Sequence, residues 1–197
     1  MTAYNHKSDT CLSIWADAYE TGAIVFPPHA KVLEIGCAEA DWQSPMLALR
    51  PDLQITGIDW RACKRPGTTI KGDVLAFDFP PATFDAVVGI SSIEHIGLGH
   101  YEADPAHPDG DRECMARAWQ WLKPGGWFYL DVPYNDSGYM VLNTEARIYD
   151  EAALYDRLAA RYEVERSWFF DRSGRINMQT IAPLPHYDYV ALLLRKP

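Results

Sequence analysis

The amino-acid sequence predicts an α/β fold in which helices cover both faces of a mostly parallel β-sheet. Short apolar segments at 31–36, 55–59 and 84–90 alternate with helical segments. These segments are apolar almost throughout, as strands buried on both faces must be. Alternating strands and helices are typical of parallel sheets. We expect a seven-stranded sheet with a C-terminal antiparallel strand, in a single domain spanning residues 1–197.

A helical extension, residues 1–29, precedes the first strand. Asp9 is a suitable N-cap for its helix, and Gly22 is a suitable end. The apolar positions predicted to share one helix face are Leu12, Trp15 and Tyr19. Pro27 and Pro28 then separate this helix from the first strand, which ends at Gly36.

Further strands and helices are predicted along the rest of the chain. The predicted elements, in order, are a helix at 41–49, strands at 55–59, 68–72 and 84–90, a short helix near Ile93, a helix at 111–122, a strand at 126–132, a helix at 150–160, and strands at 162–170 and 186–195. The 41–49 helix stops at Arg50 because the residue before Pro51 disfavours helical backbone.

Composition and charge exclude several classes of protein. The 197 residues carry 18 basic and 27 acidic side chains, a net charge of −9, without a Lys/Arg-rich run. We therefore expect no nucleic-acid partner. The longest strongly apolar run, Val190–Leu194, is too short to span a membrane. Four cysteines without a C-x-x-C pair, and an N-terminus without an apolar signal segment, predict a cytoplasmic protein with reduced thiols.

Acidic residues stand where the early strands end. In an open parallel sheet, ligands bind outside the carboxyl ends of the strands. Glu34 and Gly36 end the first strand, and Asp59 ends the second. A carboxylate at Asp59 is suited to binding both hydroxyls of a ribose. Asp73, after the third strand, can accept a hydrogen bond from an adenine amino group.

Two nucleoside cofactors fit this pattern, a dinucleotide and S-adenosylmethionine. The dinucleotide motif G-x-G-x-x-G is not met, because Gly36, Ala38 and Asp41 occupy the three glycine positions. Asp41 is a poor neighbour for a pyrophosphate. A cofactor without phosphates fits the acidic turn better.

Four segments resemble motifs of class I S-adenosylmethionine-dependent methyltransferases. They are VLEIGCAEAD (32–41), ITGIDW (55–60), IKGDVLAFDFPPATFDAVVGISSIEHI (70–96) and LKPGGWFYLDVPY (122–134), in the family's order and spacing. The resemblance covers roughly residues 30–135. It implies a Rossmann-like methyltransferase fold that binds S-adenosyl-L-methionine and releases S-adenosyl-L-homocysteine. A net charge of −9 suits a cationic sulfonium cofactor.

The resemblance also implies the cofactor-binding residues. The methionine end would rest on Glu34 and Gly36, the ribose on Asp59, and the adenine against Trp60, while Ser91 closes the pocket. The full set is Glu34, Gly36, Cys37, Ala38, Asp41, Asp59, Trp60, Asp73, Val74 and Ser91. The carboxylates have structural alternatives: Glu34 as an acceptor for backbone N–H groups, Asp59 as a helix cap, and Asp73 as a turn residue.

The family's second and third glycines are replaced here by Ala38 and Ala40. If either position requires a positive φ, alanine costs about 1 kcal/mol there. This replacement motivates an alternative reading, a protein that binds the cofactor without turnover.

On the acceptor side, His95 with Glu94 is the candidate catalytic pair. A neutral histidine is suited to take a proton from a hydroxyl near pH 7; the alternative is a structural hydrogen bond. Ubiquinone-pathway O-methyltransferases have a similar Glu-x-x-Glu-His segment that binds a divalent metal. Here Ser91 replaces the first Glu, and two remaining ligands are too few, so we predict no metal.

Two loops, 97–111 and 133–149, are the candidate acceptor-binding segments. The first resembles a subgroup of bacterial methyltransferase-like domains with G-L-G-R-Y and D-P-D-G-D segments. A solvated loop and a cation site are alternatives for it. Arg147 is a candidate clamp for a carboxylate or phosphate, or else the ion-pair partner of Glu145 or Asp150. The candidate acceptor residues are His100, Tyr101, Tyr134, Arg147 and Tyr149.

The sequence thus predicts an S-adenosylmethionine-dependent methyltransferase, a monomer or homodimer, acting at O or N of a small polar acceptor such as a sugar. Carbon and phosphate-bearing acceptors stay open. The two alternatives are a cofactor-binding protein without turnover and an aminopropyl-transferring relative with the same fold.

Overall fold

An eight-stranded sheet forms the centre of the molecule in the computed structural model, which describes residues 4–99, 106–171, 176–177 and 188–197. The strands of the described chain are β1 (Lys31–Ile35), β2 (Gln54–Asp59), β3 (Thr68–Lys71), β4 (Phe84–Ile90), β5 (Leu122–Pro133), β6 (Met140–Leu142), β7 (Ala146–Ile148), β8 (Glu163–Phe170), β9 (Ile176–Asn177) and β10 (Tyr189–Arg195). β6 and β7 pair separately as a hairpin.

The sheet has the order β3-β2-β1-β4-β5-β10-β8-β9. β3, β2, β1, β4 and β5 are parallel, whereas β10 runs antiparallel between β5 and β8. The predicted α/β class and antiparallel C-terminal strand are therefore confirmed. The two-residue β9 adds an eighth strand beside β8. The single-domain assignment stays a prediction.

The strand order reverses between β1 and β4. From β1 the chain moves outward to β2 and β3, then returns to place β4 on the other side of β1. A crevice opens at such a reversal, because the connections leave the two strands toward opposite faces of the sheet. The carboxyl ends of β1 and β4 at Ile35 and Ile90 flank this crevice.

The helices agree with the predicted order, with shifted boundaries. They are α1 (Tyr4–Glu20), α2 (Gln43–Leu49), a short 3₁₀-helix (Ile93–His95), α3 (Gly110–Trp121) and α4 (Glu151–Ala153), which continues as a π-helix (Leu154–Ala159). None of the helices in the described ranges is both long and apolar enough to cross a membrane.

The start and the buried face of α1 differ from the prediction. The helix begins at Tyr4, so Asp9 lies inside it and does not cap it. Its buried positions are Cys11, Ile14, Trp15 and Ala18. Leu12 and Tyr19 are half-buried at the margin. Cys11, Trp15 and Ala18 are spaced by four and three residues, which matches the helical period. The buried face of the helix is therefore shifted by one residue from the predicted face.

Trp15 attaches α1 to the sheet. Its ring lies edge-on to the rings of Trp42, at 5.2 Å, and Tyr129, at 4.8 Å. Edge-to-face rings gain about 1 kcal/mol beyond the area they bury. The indole is 3% exposed. This aromatic cluster therefore holds the N-terminal helix against the face of the sheet opposite α3.

Replacing Trp15 is expected to destabilise the fold strongly. Trp15→Ala removes a buried ring from a packed cluster, which costs about 3–5 kcal/mol. Urea unfolding of both proteins measures this loss. Leu49→Ala is the matched control, because Leu49 is 66% exposed; its effect should stay within about 0.5 kcal/mol. Equal effects of the two substitutions would show that α1 is not held through Trp15.

Candidate active site

A cavity of about 720 Å³, measured out to its open mouth, lies at the carboxyl ends of β1, β2 and β4. It occupies the crevice where the strand order reverses. Six of the ten predicted cofactor residues line it: Gly36, Asp59, Trp60, Asp73, Val74 and Ser91. His95 lines it as well. The cavity therefore brings together residues from four separate parts of the sequence.

The other four predicted cofactor residues do not line the cavity. Glu34 and Cys37 are buried behind its wall. Ala38 contributes its backbone N–H, which donates to Asp59 Oδ2 at 3.0 Å. Asp41 is exposed and accepts from the backbone N–H of Ser44 at 3.1 Å, near the start of α2. These residues lie beside or behind the cavity wall, and their direct contacts with the cofactor stay a prediction.

Gly36 is required twice over at the end of β1. Its φ is +84°, a left-handed conformation that glycine adopts without steric cost. A Cβ at this position would also lie 2.1 Å from Ser92 Oγ. Any side chain would therefore collide with the segment after β4, and glycine keeps the two strand ends close together.

The alanines in the turn after β1 do not strain it. Ala38 and Ala40 both lie outside the positive-φ region, so the expected cost of alanine does not arise. Arg65 instead holds the turn from the segment after β2. Its guanidinium donates to the carbonyls of Cys37 at 3.0 Å, Ala38 at 3.2 Å and Glu39 at 3.4 Å.

Asp59 is held by hydrogen bonds at the edge of the cavity. Its Oδ2 accepts from Ala38 N, and its Oδ1 accepts from Arg61 N at 2.8 Å and Arg61 Nε at 3.2 Å. A carboxylate has about four lone-pair positions. Three protein donors therefore leave room for a ligand hydroxyl, and withdrawal of Arg61 Nε makes room for a second.

Arg61 and Glu39 are cavity residues that the sequence analysis missed. Arg61 Nη1 donates to Glu39 Oε1 at 2.6 Å, and this pair bridges the turns that follow β1 and β2. The pair is partly exposed, at 36% and 47%, so its contribution to stability is small. The sequence signal for Arg61 is its position, two residues after Asp59 of the ITGIDW segment.

Glu34 is buried beside a single side-chain donor. Gln43 Nε2 donates to Glu34 Oε2 at 2.6 Å, and Gln43 Oε1 accepts from Gly67 N at 3.0 Å. Burial raises the pKa of Glu34 to about 7, and the Gln43 bond only partly opposes the shift. The pair connects β1 to the segment after β2, beneath the cavity.

The ring of His95 is oriented by its contact with the β6–β7 hairpin. Nδ1 is hydrogen-bonded to the backbone carbonyl of Glu145. Because a carbonyl only accepts, Nδ1 carries the proton, and in the neutral ring Nε2 keeps its lone pair. Nε2 lies 3.5 Å from Glu94 Oε1. Glu94 is fully buried, and its Oε1 contacts both His95 and Ser91.

Ser91 holds an unusual backbone conformation at the end of β4. Its φ is +49°, which is uncommon for residues other than glycine. Its N–H donates to Asp131 Oδ1 at 3.1 Å, and its hydroxyl donates to Glu94 Oε1 at 3.1 Å. These bonds stabilise a conformation that otherwise costs about 1–3 kcal/mol. The backbone strain thus lies at the floor of the cavity.

The structure contradicts an acceptor-binding role for Arg147. The side chain is fully buried, and its Nη1 donates to the carbonyls of Glu94 at 3.3 Å and Ile96 at 2.7 Å. Its Nη2 donates to the carbonyls of His107 and Pro108. Its carboxylate partner is Asp111, 3.4 Å away, and not Glu145 or Asp150.

Tyr149 and Tyr134 are also buried structural residues. The Tyr149 hydroxyl donates to Asp111 Oδ2 at 2.9 Å. The ring of Tyr134 packs edge-on against Phe169, with centroids 5.0 Å apart. Neither residue lines the cavity. Their predicted role as acceptor-binding walls is therefore corrected.

The remaining predicted acceptor residues, His100 and Tyr101, lie outside the described residues. In the ranges that the structure describes, no cluster of three or more His, Cys, Asp or Glu side chains is arranged to hold a metal ion.

A family of known sequences matches part of this chain. Residues 76–180, more than half of the chain, match the family described as "Caenorhabditis protein of unknown function, DUF268". No curated protein matches the chain in sequence.

Solved structures show a similar fold. 1,6-Didemethyltoxoflavin-N1-methyltransferase of Burkholderia thailandensis, with bound 1,6-didemethyltoxoflavin and S-adenosylhomocysteine, is 19% identical (TM-score 0.60; 95% of this chain and 88% of that chain covered). The N-methyltransferase NodS of Bradyrhizobium japonicum WM9, with S-adenosylhomocysteine, is 16% identical (TM-score 0.54; 85% and 78% covered). The [4+2]-cyclase SpnF is 18% identical (TM-score 0.59; 85% and 74% covered). The fold is therefore that of class I S-adenosylmethionine-dependent methyltransferases, and it also supports other chemistry.

The raised pKa of Glu34 predicts a pH-dependent stability. The folded state holds this proton more tightly than the unfolded chain, whose carboxyl has a pKa of 4.5. The free energy of unfolding should therefore fall as the pH rises from about 4.5 through about 7. Between about pH 5 and about pH 8, the free energy of unfolding of the native protein should fall by about 2 kcal/mol relative to that of Glu34→Gln.

Urea unfolding of the native protein and Glu34→Gln at the two pH values tests this prediction. Glu163→Gln is the control, because it makes the same substitution at an exposed position. A constant difference between the native protein and Glu34→Gln at both pH values contradicts a raised pKa.

Removing the buried guanidinium should also destabilise the fold. Arg147→Met leaves Asp111 buried with one cation fewer and deprives four carbonyls of their donor, which costs about 3–5 kcal/mol. Arg112→Met is the matched control, since its pair with Asp156 is 41% and 65% exposed; it should cost no more than about 1 kcal/mol. Chemical denaturation measures the stability of both variants. Equal losses of stability would contradict the structural role of Arg147.

Proposed function

We propose that this chain, which belongs to the family described as "Caenorhabditis protein of unknown function, DUF268", is an S-adenosylmethionine-dependent methyltransferase that acts at O or N of a small polar acceptor. The observation that carries the proposal is the cavity at the strand-order reversal, lined by both Gly36 and Asp59. A cytoplasmic location, a single domain, and a monomer or homodimer are part of the same proposal.

The cavity residues fit the chemistry of S-adenosylmethionine. Asp59 offers carboxylate positions to the ribose hydroxyls. Trp60 and Val74 supply apolar surface for the adenine. Gly36 lines the cavity without a side chain. Asp73 also lines the cavity, and its Oδ1 accepts from Leu75 N at 2.8 Å, so the turn-residue role and the adenine role are compatible.

Charge favours a cation in this cavity. Glu39, Asp59 and Asp73 line it, and Glu94 lies directly behind Ser91 and His95. Arg61 is the opposing charge among the described lining residues. A ligand with a sulfonium and an ammonium group gains Coulomb energy here, whereas a pyrophosphate would be repelled. This difference supports S-adenosylmethionine over a dinucleotide.

When bound, S-adenosylmethionine supplies a methyl group on its sulfonium for in-line transfer to the acceptor. The proposed task of the protein is to align the acceptor and to accept its proton. His95 Nε2 is the proton acceptor, because Nδ1–H is committed to the carbonyl of Glu145. The imidazolium that forms is stabilised by the carboxylate of Glu94, 3.5 Å from Nε2.

The alternative, cofactor binding without turnover, rested on expected backbone strain at Ala38 and Ala40. Neither residue has a positive φ, so this strain is absent. Arg65 holds the turn that the missing glycines were expected to weaken. The acceptor is proposed to lie beside His95, Ile96 and Gly97, which line the cavity on the side of the 97–111 loop.

Two substitutions should separate cofactor binding from turnover. Asp59→Ala removes charge-assisted hydrogen bonds to the ribose, so the affinity for S-adenosylhomocysteine should fall about 10- to 100-fold. Titration calorimetry measures this change. His95→Ala should bind with native affinity and lose methyl transfer by about 10²- to 10⁴-fold, measured with labelled cofactor and a panel of polar metabolites.

Asp78→Ala is the control for both measurements, because Asp78 is exposed and does not line the cavity. If the native protein and Asp59→Ala take up S-adenosylhomocysteine equally, the proposed ribose contact is wrong. If His95→Ala transfers methyl groups at the native rate, His95 is not the base.

A further inference from the structure

Two cysteine side chains meet behind the wall of the cavity. Cys37 Sγ lies 2.8 Å from Cys63 Sγ, although the residues are 26 positions apart in the chain. Cys37 is in the turn after β1, and Cys63 is in the segment after β2. Both are free thiols. The spacing of the four cysteines in the sequence, without a C-x-x-C pair, gives no sign of this contact.

The surrounding residues are arranged to accommodate the two sulfur atoms. Gly57 of β2 faces them, and a Cβ at Gly57 would lie 2.8 Å from Cys37 Sγ. The Cys37 carbonyl accepts from Arg65 Nε at 3.0 Å, and the Cys63 carbonyl accepts from Thr69 Oγ1 at 3.2 Å. The backbone of each cysteine is therefore held by a hydrogen bond from another residue of the segment after β2 or of β3.

We propose that Cys37 and Cys63 form a thiol–disulfide site that reacts with low-molecular-weight disulfides such as oxidised glutathione. A covalent S–S bond is about 2.05 Å long, so a movement of less than about 1 Å brings the two atoms together. The bond would join the turn at Gly36–Ala38 to the segment that begins at Trp60, and both segments contribute lining residues to the cavity.

The exchange proceeds in two balanced steps. The Cys63 thiolate attacks one sulfur of oxidised glutathione and releases one glutathione thiolate. The sulfur of Cys37 then gives up its proton, attacks Cys63 Sγ and releases the second glutathione. The protein loses two hydrogen atoms in total, and one oxidised glutathione becomes two reduced molecules.

Exposure decides the order of the two steps. Cys63 is half-buried, so an external disulfide reaches it first. Cys37 is fully buried, so an external disulfide does not reach it. Its sulfur lies 2.8 Å from Cys63 Sγ, so it reacts as the internal partner. Cys11 and Cys114 are both fully buried, so an external disulfide does not reach them. The site therefore predicts one specific cross-link.

Peptide mass spectrometry of the full-length chain tests the proposal. The folded protein is incubated with oxidised glutathione, its remaining thiols are alkylated, and it is digested without reduction. The expected product is a Cys37–Cys63 linked peptide, two hydrogens lighter than the sum of its parts. The cross-link should raise the thermal unfolding midpoint by roughly 5–10 °C, and dithiothreitol should reverse the shift.

Two variants make the test specific, and neither requires the cofactor. Cys63→Ala should lose both the linked peptide and the thermal shift, whereas Cys114→Ala should keep both. A glutathione adduct that persists on Cys63, a link between any other pair, or unreacted thiols under these conditions would overturn the proposal. Because the native protein gives the linked peptide directly, the result does not depend on the variants folding.

Discussion

The buried guanidinium of Arg147 is the interaction on which the cavity wall around His95 depends. It donates to the carbonyls of Glu94 and Ile96, the residues on either side of His95. It also reaches the carbonyls of His107 and Pro108, just before α3. The same β6–β7 hairpin supplies the Glu145 carbonyl that orients the His95 ring. A fully buried cation is stable only when it is paired and hydrogen-bonded, so the hairpin, the turn after β4 and the start of α3 are fixed together.

A comparable set of polar contacts holds the turn after β1, on the other side of the cavity. Arg65 binds the carbonyls of the turn after β1, and Gln43 bridges Glu34 to Gly67. These long side chains hold the turn that contains Ala38 and Ala40. Both halves of the cavity are thus set by buried or half-buried side chains that reach across from a neighbouring segment.

Strand ends were predictable from the sequence, whereas the partners of the polar side chains were not. Gly36, Asp59 and Ser91 end or follow apolar segments, and Asp73 follows the third predicted strand. A parallel sheet brings the ends of these strands to one edge, so the convergence of the four residues follows from local pattern. Arg147 and Tyr149 looked like exposed loop residues because no local signal reveals Asp111, whose sequence position is more than 30 residues away. The buried face of α1 differs from the predicted face for a similar reason, because contacts with the sheet determine which side of the helix is buried. The contact between Cys37 and Cys63 depends on pairing between β1 and β2 and has no signature in sequence spacing.

The central claim is that the cavity between β1 and β4 holds S-adenosylmethionine through Asp59, against the glycine at the end of β1. A crystal structure of the protein with S-adenosylhomocysteine tests it most directly. The account predicts ribose hydroxyls within hydrogen-bond distance of the Asp59 carboxylate, adenine beside Trp60 and Val74, and the sulfur directed toward His95. A ligand bound elsewhere, or a cavity that stays empty at saturating ligand, would contradict it.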